Sequence, residues 1–339
     1  MFSVFRGFRL TYLSVFRGFR WTYLLMLIGA IGAWYSANAC QRSKEHYSVG
    51  LVTWIGYSPI YIARDKHFFE DEGLAVDVKI LDSPGAREAA YQAGQLDFFP
   101  NTPDAFAIFF SERSPKGKMV AALDESEGAD GVIAKSTIAT FRDLKGKKVG
   151  FQSGITSHFL LLYLLARNNL SGKDITQVDL SAGDAGQAFI AGKLDAAVTW
   201  EPWLSEARKT PNAKVLATSA DTPGIIVDVL LTSDRALAEN DRPLKAFMRA
   251  WYGGISFIKK HPEEAHAIIA KALNVTKPEV RKMLTTTNFF SADQSYDYLQ
   301  HKLPGVLHSA NDLFFENHVI RVKANLESMI DASALRTQP

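Results

Sequence analysis

From residue 47 onward, short apolar runs alternate with amphipathic stretches, and this alternation predicts strands and helices in turn. Tyr47–Thr53 is apolar and ends at turn residues, which is typical of a buried strand. Ser58-Pro59 then supplies an N-cap residue followed by proline in the first helical turn. A second strand over Ala75–Leu81 and a helix over Ala86–Ala93 follow. The order β-α-β-α predicts a mostly parallel sheet with flanking helices.

The same order of elements begins again in the middle of the chain. Lys148–Phe151 predicts a strand, and Ser157–Asn168 predicts a long helix after it. Two short segments also resemble each other, Tyr91–Asp97 (YQAGQLD) and Phe189–Asp195 (FIAGKLD). Each ends a helix with Ala-Gly and opens a strand with Leu-Asp, a turn for which glycine is well suited. This repetition favours two similar lobes over one large sheet.

The predicted architecture is therefore an α/β protein of two lobes. The chain has 339 residues, which is enough for two compact lobes. We expect lobe one to comprise residues 47–135 plus 226–335, and lobe two residues 136–222. The chain would then cross between the lobes twice, near Lys135 and at Asp221–Gly224.

The first forty residues have the pattern of an export signal. Arginines precede a charge-free segment over residues 21–41, and Ala37-Asn38-Ala39 stands before Cys40. The apolar run is short for a membrane span, which needs about 20 apolar residues. We expect residues 1–39 to be a signal peptide and Cys40 to be lipidated, which would tether a periplasmic protein to a membrane. The alternative is cleavage by the general signal peptidase, which leaves an unmodified thiol.

Composition excludes several other classes of function. The chain has 38 basic and 36 acidic residues, but four arginines and no acid lie in residues 1–39, so the remainder has 38 − 4 = 34 basic residues and a net charge near −2. No lysine- or arginine-rich stripe indicates nucleic acid as a partner. Cys40 is the only cysteine, which excludes a disulfide framework and a cysteine-built zinc site within one chain. The common phosphate-loop, dinucleotide, metalloprotease and nucleophile-turn motifs are absent. We expect binding without catalysis, and no cofactor or metal.

Six segments carry a resemblance to a known family: TWIGYSPIYIARDKHFFEDEGL, AGQLDFFPNTPDAF, DLKGKKVGFQSGITSHF, AGKLDAAVTWEPW, TPGIIVDVLLTSDRAL and FIKKHPEEAHAII. In this order and spacing they resemble ABC-transporter solute-binding proteins for nitrate, sulfonates, taurine and thiamine-pyrimidine precursors. The resemblance extends over about residues 47–299. It implies a type II periplasmic binding-protein fold whose lobes close over a ligand. It also implies delivery of that ligand to a membrane permease driven by a cytoplasmic ATPase.

Fold topology predicts where the ligand lies, because open α/β sheets bind ligands beyond the carboxyl ends of their strands. With two lobes, such loops face a shared cleft. Six loops meet this criterion: Thr53–Ser58, Pro100–Asp104, Leu123–Asp130, Gln152–Ser157, Thr199–Trp203 and Thr222–Asp228.

These six loops contain carboxylates and aromatic rings but no lysine or arginine. Tryptophan faces attract cations, and carboxylates accept charge-assisted hydrogen bonds. The composition thus favours a cationic or N–H-rich ligand. The candidate ligand-binding residues are Trp54, Tyr57, Ser58, Asn101, Thr102, Asp124, Asp130, Ser153, Thr156, Trp200, Glu201, Trp203 and Asp228.

Other interpretations stay open at this point. Ser58 and Ser153–Thr156 open predicted helices, whose backbone N–H groups can hold a sulfonate or carboxylate, and a zwitterion such as taurine would use both features. Trp54 can equally be a core residue, and Glu201 can pair with a distant lysine. A sensor subunit with the same binding chemistry is a further alternative. The fold also resembles that of eukaryotic thiamine-pyrimidine synthases, but their cysteine-rich motif is absent here.

Overall fold

The structure is a computed structural model that describes residues 45–337. The predicted signal peptide and Cys40 lie outside these residues. The strands of the described part are β1 (Glu45–Leu51), β2 (Leu74–Ile80), β3 (Phe98–Asn101), β4 (Lys118–Ser126), β5 (Asp130–Lys135), β6 (Lys148–Phe151), β7 (Thr176–Asp179), β8 (Ala196–Trp200), β9 (Ala213–Thr218), β10 (Val227–Thr232) and β11 (Thr287–Phe289).

The α-helices of the same residues alternate with these strands and then fill most of the C-terminal third. They are α1 (Ser58–Asp65), α2 (Phe68–Asp71), α3 (Pro84–Gln92), α4 (Pro103–Phe109), α5 (Thr156–Ala166), α6 (Ala182–Ile190), α7 (Trp203–Arg208), α8 (Ala238–Lys260), α9 (Pro262–Leu273), α10 (Lys277–Leu284), α11 (Ala292–Asp297) and α12 (Leu303–Glu316). Within residues 45–337, no helix combines the length and the apolar character that a bilayer span requires.

The strands form two sheets, which confirms the expected two-lobed α/β architecture. The first has the order β11-β4-β10-β3-β1-β2, and the second the order β7-β6-β8-β5-β9. The expectation of mostly parallel sheets is wrong, because both sheets are mixed. β1 pairs in parallel with β3, and β6 with β7 and β8, whereas β10 runs antiparallel to β3 and β4, and β5 antiparallel to β8 and β9. The antiparallel strands β5 and β10 enter each sheet directly from the other lobe, not through a helical crossover, so they run against the β-α-β units.

The first connection between the lobes lies earlier than the sequence indicated. β5 (Asp130–Lys135) belongs to the second sheet, so the chain crosses at residues 127–129 and not near Lys135. The predicted boundary of lobe one at residue 135 placed both β4 and β5 in that lobe. In the structure, the two strands belong to different sheets, and Gly128, with φ of 110°, lies in the turn between them. The return connection runs between Thr218 and Val227.

Each sheet has its own packed core. In the first lobe, the rings of Phe98 and Phe247 stack with centroids 4.1 Å apart, which joins β3 to α8. The second sheet is covered on both faces, by α5 on one side and by α6 on the other. Helix α5 is apolar on nearly all sides because it also packs against α12. The ring centroids of Phe159 on α5 and Phe314 on α12 lie 5.9 Å apart. This packing places the carboxyl ends of both sets of strands around one cleft.

Candidate functional site

A cavity of about 490 Å³ lies between the two lobes, where the strands of both sheets end. This volume falls within the range of about 300–1,000 Å³ that is typical of small-molecule sites. Most of the predicted site residues line it: Trp54, Tyr57, Asn101, Thr102, Asp130, Thr156, Trp200, Trp203 and Asp228. The rule that ligands bind beyond the strand ends therefore locates the cavity correctly.

Ser58 and Ser153 do not line the cavity. Ser58 is fully buried, and its hydroxyl donates to the carbonyl of Ile55 within the same turn. Ser153 is exposed, and its backbone N–H donates to Asp179 at 2.9 Å. Both serines stabilise the loops that shape the cavity.

Glu201 does not line the cavity either. Its two oxygens accept hydrogen bonds from the hydroxyl and the backbone N–H of Ser205, at 2.7 and 3.1 Å. Lys282 of α10 in the first lobe donates to the same Ser205 hydroxyl, so this group connects the two lobes. The distant-lysine alternative was thus close to the observed arrangement, although Ser205 lies between the two charges.

Sequence reasoning missed the one arginine among the lining residues, Arg87. Arg87 lies one turn into α3 and is only 4% exposed. Its Nε and Nη1 atoms have no hydrogen-bond partner, and its guanidinium lies 5.7 Å from the centre of the Phe99 ring. Buried polar groups are nearly always paired, so unpartnered donors at a cavity wall indicate a missing acceptor. The expectation of a cleft without cationic side chains is wrong.

Helix starts supply further donors around the cavity. The first residues of α3 and α6, Pro84 and Ala182-Gly183, line it, as do Gly154–Thr156 at the start of α5. Such starts carry the positive end of the helix dipole, which favours anions, although Pro84 has no N–H and the N–H of Gly154 donates to Nδ1 of His158 at 3.2 Å. The loops after β2 and β7 were outside the six predicted loops, although they also follow the carboxyl ends of strands.

Acidic side chains form a buried group beside the same cavity. Asp130 and Asp228 line it, whereas Asp104 and Asp124 are fully buried behind the wall. The hydroxyl of Tyr57 donates to Asp228 at 2.6 Å, and that of Ser126 donates to Asp130 at 2.6 Å.

Asp124 contributes to the site from behind the cavity wall. It accepts the indole N–H of Trp54 at 2.9 Å and is the cross-strand neighbour of Asp228. It therefore holds the Trp54 ring in place, which is a different role from the predicted ligand contact. Gly56 is needed here, because a β-carbon at this position would overlap both Asp124 and Trp54.

Burial raises the pKa of every member of this acidic group. Desolvation, opposed by the hydrogen bond from Ser126, raises the pKa of Asp130 to about 7. Desolvation raises the pKa of Asp228 to about 6, against the lowering effects of the Tyr57 hydrogen bond and of Arg87. Asp104 rises to a pKa of about 7, and the pKa of Asp124 rises through burial and then through the charge of Asp228. Near neutral pH these carboxyl groups can thus gain or lose protons when a charged ligand arrives.

Side chains of the two lobes also meet directly at the cavity. The hydroxyls of Thr102 and Thr156 are 3.0 Å apart, one from each lobe. The rings of Trp200 and Trp203 meet edge to face with centroids 5.8 Å apart. The start of α6 packs closely on Trp203, since a β-carbon at Gly183 would lie 3.0 Å from its ring.

Two α/β lobes joined by two short connections, with a ligand-sized cavity between them, define the class of periplasmic binding-protein folds. The family profile described as NMT1/THI5 like matches residues 54–265, more than half of the chain, and the chain belongs to that family. A protein of Escherichia coli K12 that is named as an aliphatic sulfonates-binding protein is 26% identical to this chain over 329 residues, which cover 90% of this chain and 95% of that protein.

Solved structures share the fold. The periplasmic aliphatic sulphonate-binding protein SsuA of E. coli superposes with a TM-score of 0.71 at 21% identity, covering 87% of this chain and all of that one. The alkanesulfonate-binding protein SsuA of Xanthomonas axonopodis pv. citri, bound to MOPS, gives a TM-score of 0.67 at 21% identity, covering 84% and 98%. The resemblance drawn from the six sequence segments is confirmed, and these relatives are binding proteins by name.

Proposed function

We propose that this chain is the extracytoplasmic solute-binding subunit of an ABC importer and that its ligand carries a sulfonate or a similar anionic group. The observation that carries the proposal is Arg87, a buried guanidinium whose Nε and Nη1 have no partner at the cavity wall. An unsatisfied buried donor costs about 1–3 kcal/mol, which a ligand oxygen would offset. The names of the relatives point to the same ligand class.

This proposal reverses the preference for a cation that the sequence suggested. That preference depended on the absence of lysine and arginine from six loops. Arg87 lies on α3, which follows a seventh loop, the one after β2. Guanidinium groups suit anionic oxygens because two parallel N–H groups can bind them together. The helix starts at Pro84, Thr156 and Ala182 would add partial positive charge around the same anion.

Closure over the ligand would couple binding to transport. Residues of both lobes line the cavity, for example Arg87 in the first and Trp203 in the second. A ligand that contacts both lobes binds the closed state more tightly than the open state and so shifts the equilibrium towards closure. The closed form would then deliver the ligand to a membrane permease with a cytoplasmic ATPase. Cys40 would keep the protein at the periplasmic face of a membrane through its lipid.

Titration calorimetry with pentanesulfonate tests the role of Arg87. We expect Arg87→Ala to weaken binding about 10- to 100-fold, since a hydrogen bond to a charged group contributes about 1.5–3 kcal/mol. Arg142→Ala is the matched control, because Arg142 is exposed and is not one of the residues that line the cavity. Equal affinity for the wild-type protein and Arg87→Ala, with unchanged melting temperatures, would contradict the proposal.

A further inference from the structure

The cavity contains more negative than positive side chains, which a purely anionic ligand does not explain. Arg87 is the only lysine, arginine or histidine among the described residues that line it, whereas Asp82, Glu88, Asp130 and Asp228 all do. Asp130 and Asp228 are 6% and 8% exposed, so solvent screens them little. An anion bound at Arg87 would share the cavity with these carboxyl groups.

Asp130, which lines the cavity, keeps hydrogen-bonding capacity that its neighbours do not use. Ser126 donates to Oδ2 of Asp130, and within the described residues Oδ1 receives no hydrogen bond. Asp104 lies behind the cavity wall and interacts electrostatically with Asp130 and Asp228. A carboxylate can accept several N–H donors, so Asp130 and Asp228 are equipped to receive an ammonium group.

Aromatic rings lie around the same part of the cavity. Trp54, Trp200 and Trp203 all line it and are half-buried. An indole ring attracts a cation over its face by about 0.5–2 kcal/mol, and it also covers hydrocarbon groups. The volume of about 490 Å³ leaves room for an organic group beyond a short chain.

We infer that the ligand is a zwitterionic organosulfonate that carries a protonated, substituted amine. Its sulfonate would bind the guanidinium of Arg87, its ammonium would bind Asp130 and Asp228, and the hydrocarbon beyond the amine would contact the tryptophans. This inference rests on the proposed function and adds a second subsite to it. The buried, unpartnered Arg87 determines which end of the ligand lies at which wall.

The same acids have one alternative use, which the experiment must separate. A protonated carboxyl group donates a hydrogen bond, so Asp130 and Asp228 in their neutral forms would help Arg87 to hold a sulfonate. A ligand amine would then weaken binding. The comparison of ligands that differ only in the amine decides between the two uses.

Three probes of nearly equal shape make this comparison by titration calorimetry on the purified protein. Cyclohexylaminopropanesulfonate carries both charges, cyclohexylbutanesulfonate replaces the amine by a methylene, and N-butylcyclohexylamine replaces the sulfonate by a methyl. We expect the zwitterion to bind about 10- to 100-fold more tightly than the methylene analogue, the range of a charge-assisted hydrogen bond. The amine without the sulfonate should bind more weakly than the zwitterion.

Variants then assign the amine subsite. Asp130→Asn and Asp228→Asn should each reduce the affinity ratio of the zwitterion to its methylene analogue by about tenfold, because each removes a negative charge from the amine subsite. Asp77→Asn is the matched control, since Asp77 lies on β2 with an exposed side chain outside the cavity. Circular dichroism verifies that each variant folds.

The outcomes separate the inference from the proposed function. If both sulfonates bind with equal affinity, or the methylene analogue binds more tightly, the amine subsite is wrong and the sulfonate proposal stands. If neither sulfonate binds and the simple amine does, the proposed function itself is wrong and the inference with it. If the affinity ratio is large but unchanged in both aspartate variants, the assignment to Asp130 and Asp228 is overturned.

Discussion

The pH dependence of binding follows from the raised pKa values of the cavity acids. Asp130 has a pKa of about 7 and Asp228 of about 6, both raised mainly by burial. A ligand ammonium binds their ionised forms, so its affinity is fully present above these pKa values and is lost as the pH falls through them. The other charged groups near these two acids are Arg87, Asp104, Asp124 and Glu201, and Arg87 keeps its charge throughout.

The magnitude can be worked from these values. A pH of about 5 lies about two units below the pKa of Asp130 and about one unit below the pKa of Asp228. Each unit lowers the ionised fraction tenfold, so Asp130 is almost wholly protonated at about pH 5, and the affinity for the zwitterion should fall by about the tenfold expected for Asp130→Asn, or about 1.4 kcal/mol. The methylene analogue should instead bind more tightly at acidic pH, because neutral acids no longer repel its sulfonate.

Calorimetric titrations of cyclohexylaminopropanesulfonate and cyclohexylbutanesulfonate between about pH 5 and pH 8 measure both trends. We expect the two affinity curves to run in opposite directions. A zwitterion affinity that is flat, or that rises towards acidic pH, would refute the reasoning.

Three further predictions concern stability and closure. Without ligand, the native state should lose stability as the pH rises from about 4 to about 7, because Asp104 and Asp130 have higher pKa values folded than unfolded; thermal unfolding across this range measures it, and a rising melting temperature would contradict it. Lys282→Met removes the contact between α10 and Ser205 outside the cavity, and it should weaken sulfonate binding about two- to threefold, the low end of the range for a hydrogen bond. Titration checks this, and small-angle scattering should show less compaction with ligand; unchanged affinity would argue against a role of Lys282 in closure. Gly56→Ala should lower stability by about 1–3 kcal/mol through overlap with Asp124 and Trp54, whereas Gly85→Ala, with open space around it, should be neutral or slightly stabilising; denaturant unfolding of both tests the difference.

Much of the cavity could be predicted from the chain because local patterns determine it. The strand at Tyr47–Thr53 and the loop after it place Trp54 and Tyr57 at the cleft, and Lys148–Phe151 does the same for Thr156. Such predictions require only the alternation of elements and the rule about strand ends. These predictions succeed where the site residue lies in the loop that directly follows its own strand.

Other features depend on contacts between distant segments. Glu201 and Lys282 both form hydrogen bonds with the hydroxyl of Ser205, and Lys282 lies 77 residues beyond that serine. No local sequence pattern predicts such a contact. Arg87 reaches the cavity only because of its angular position on α3, one turn after the loop that follows β2. The expectation of mostly parallel sheets fails at β5, because the direction of this strand depends on which lobe the chain comes from.

A crystal structure of the protein with cyclohexylaminopropanesulfonate tests the central claim most directly. The account predicts that a sulfonate oxygen accepts hydrogen bonds from Nε or Nη1 of Arg87, with the lobes closed around the ligand. A sulfonate bound away from Arg87, with its guanidinium still unpartnered, would contradict the account.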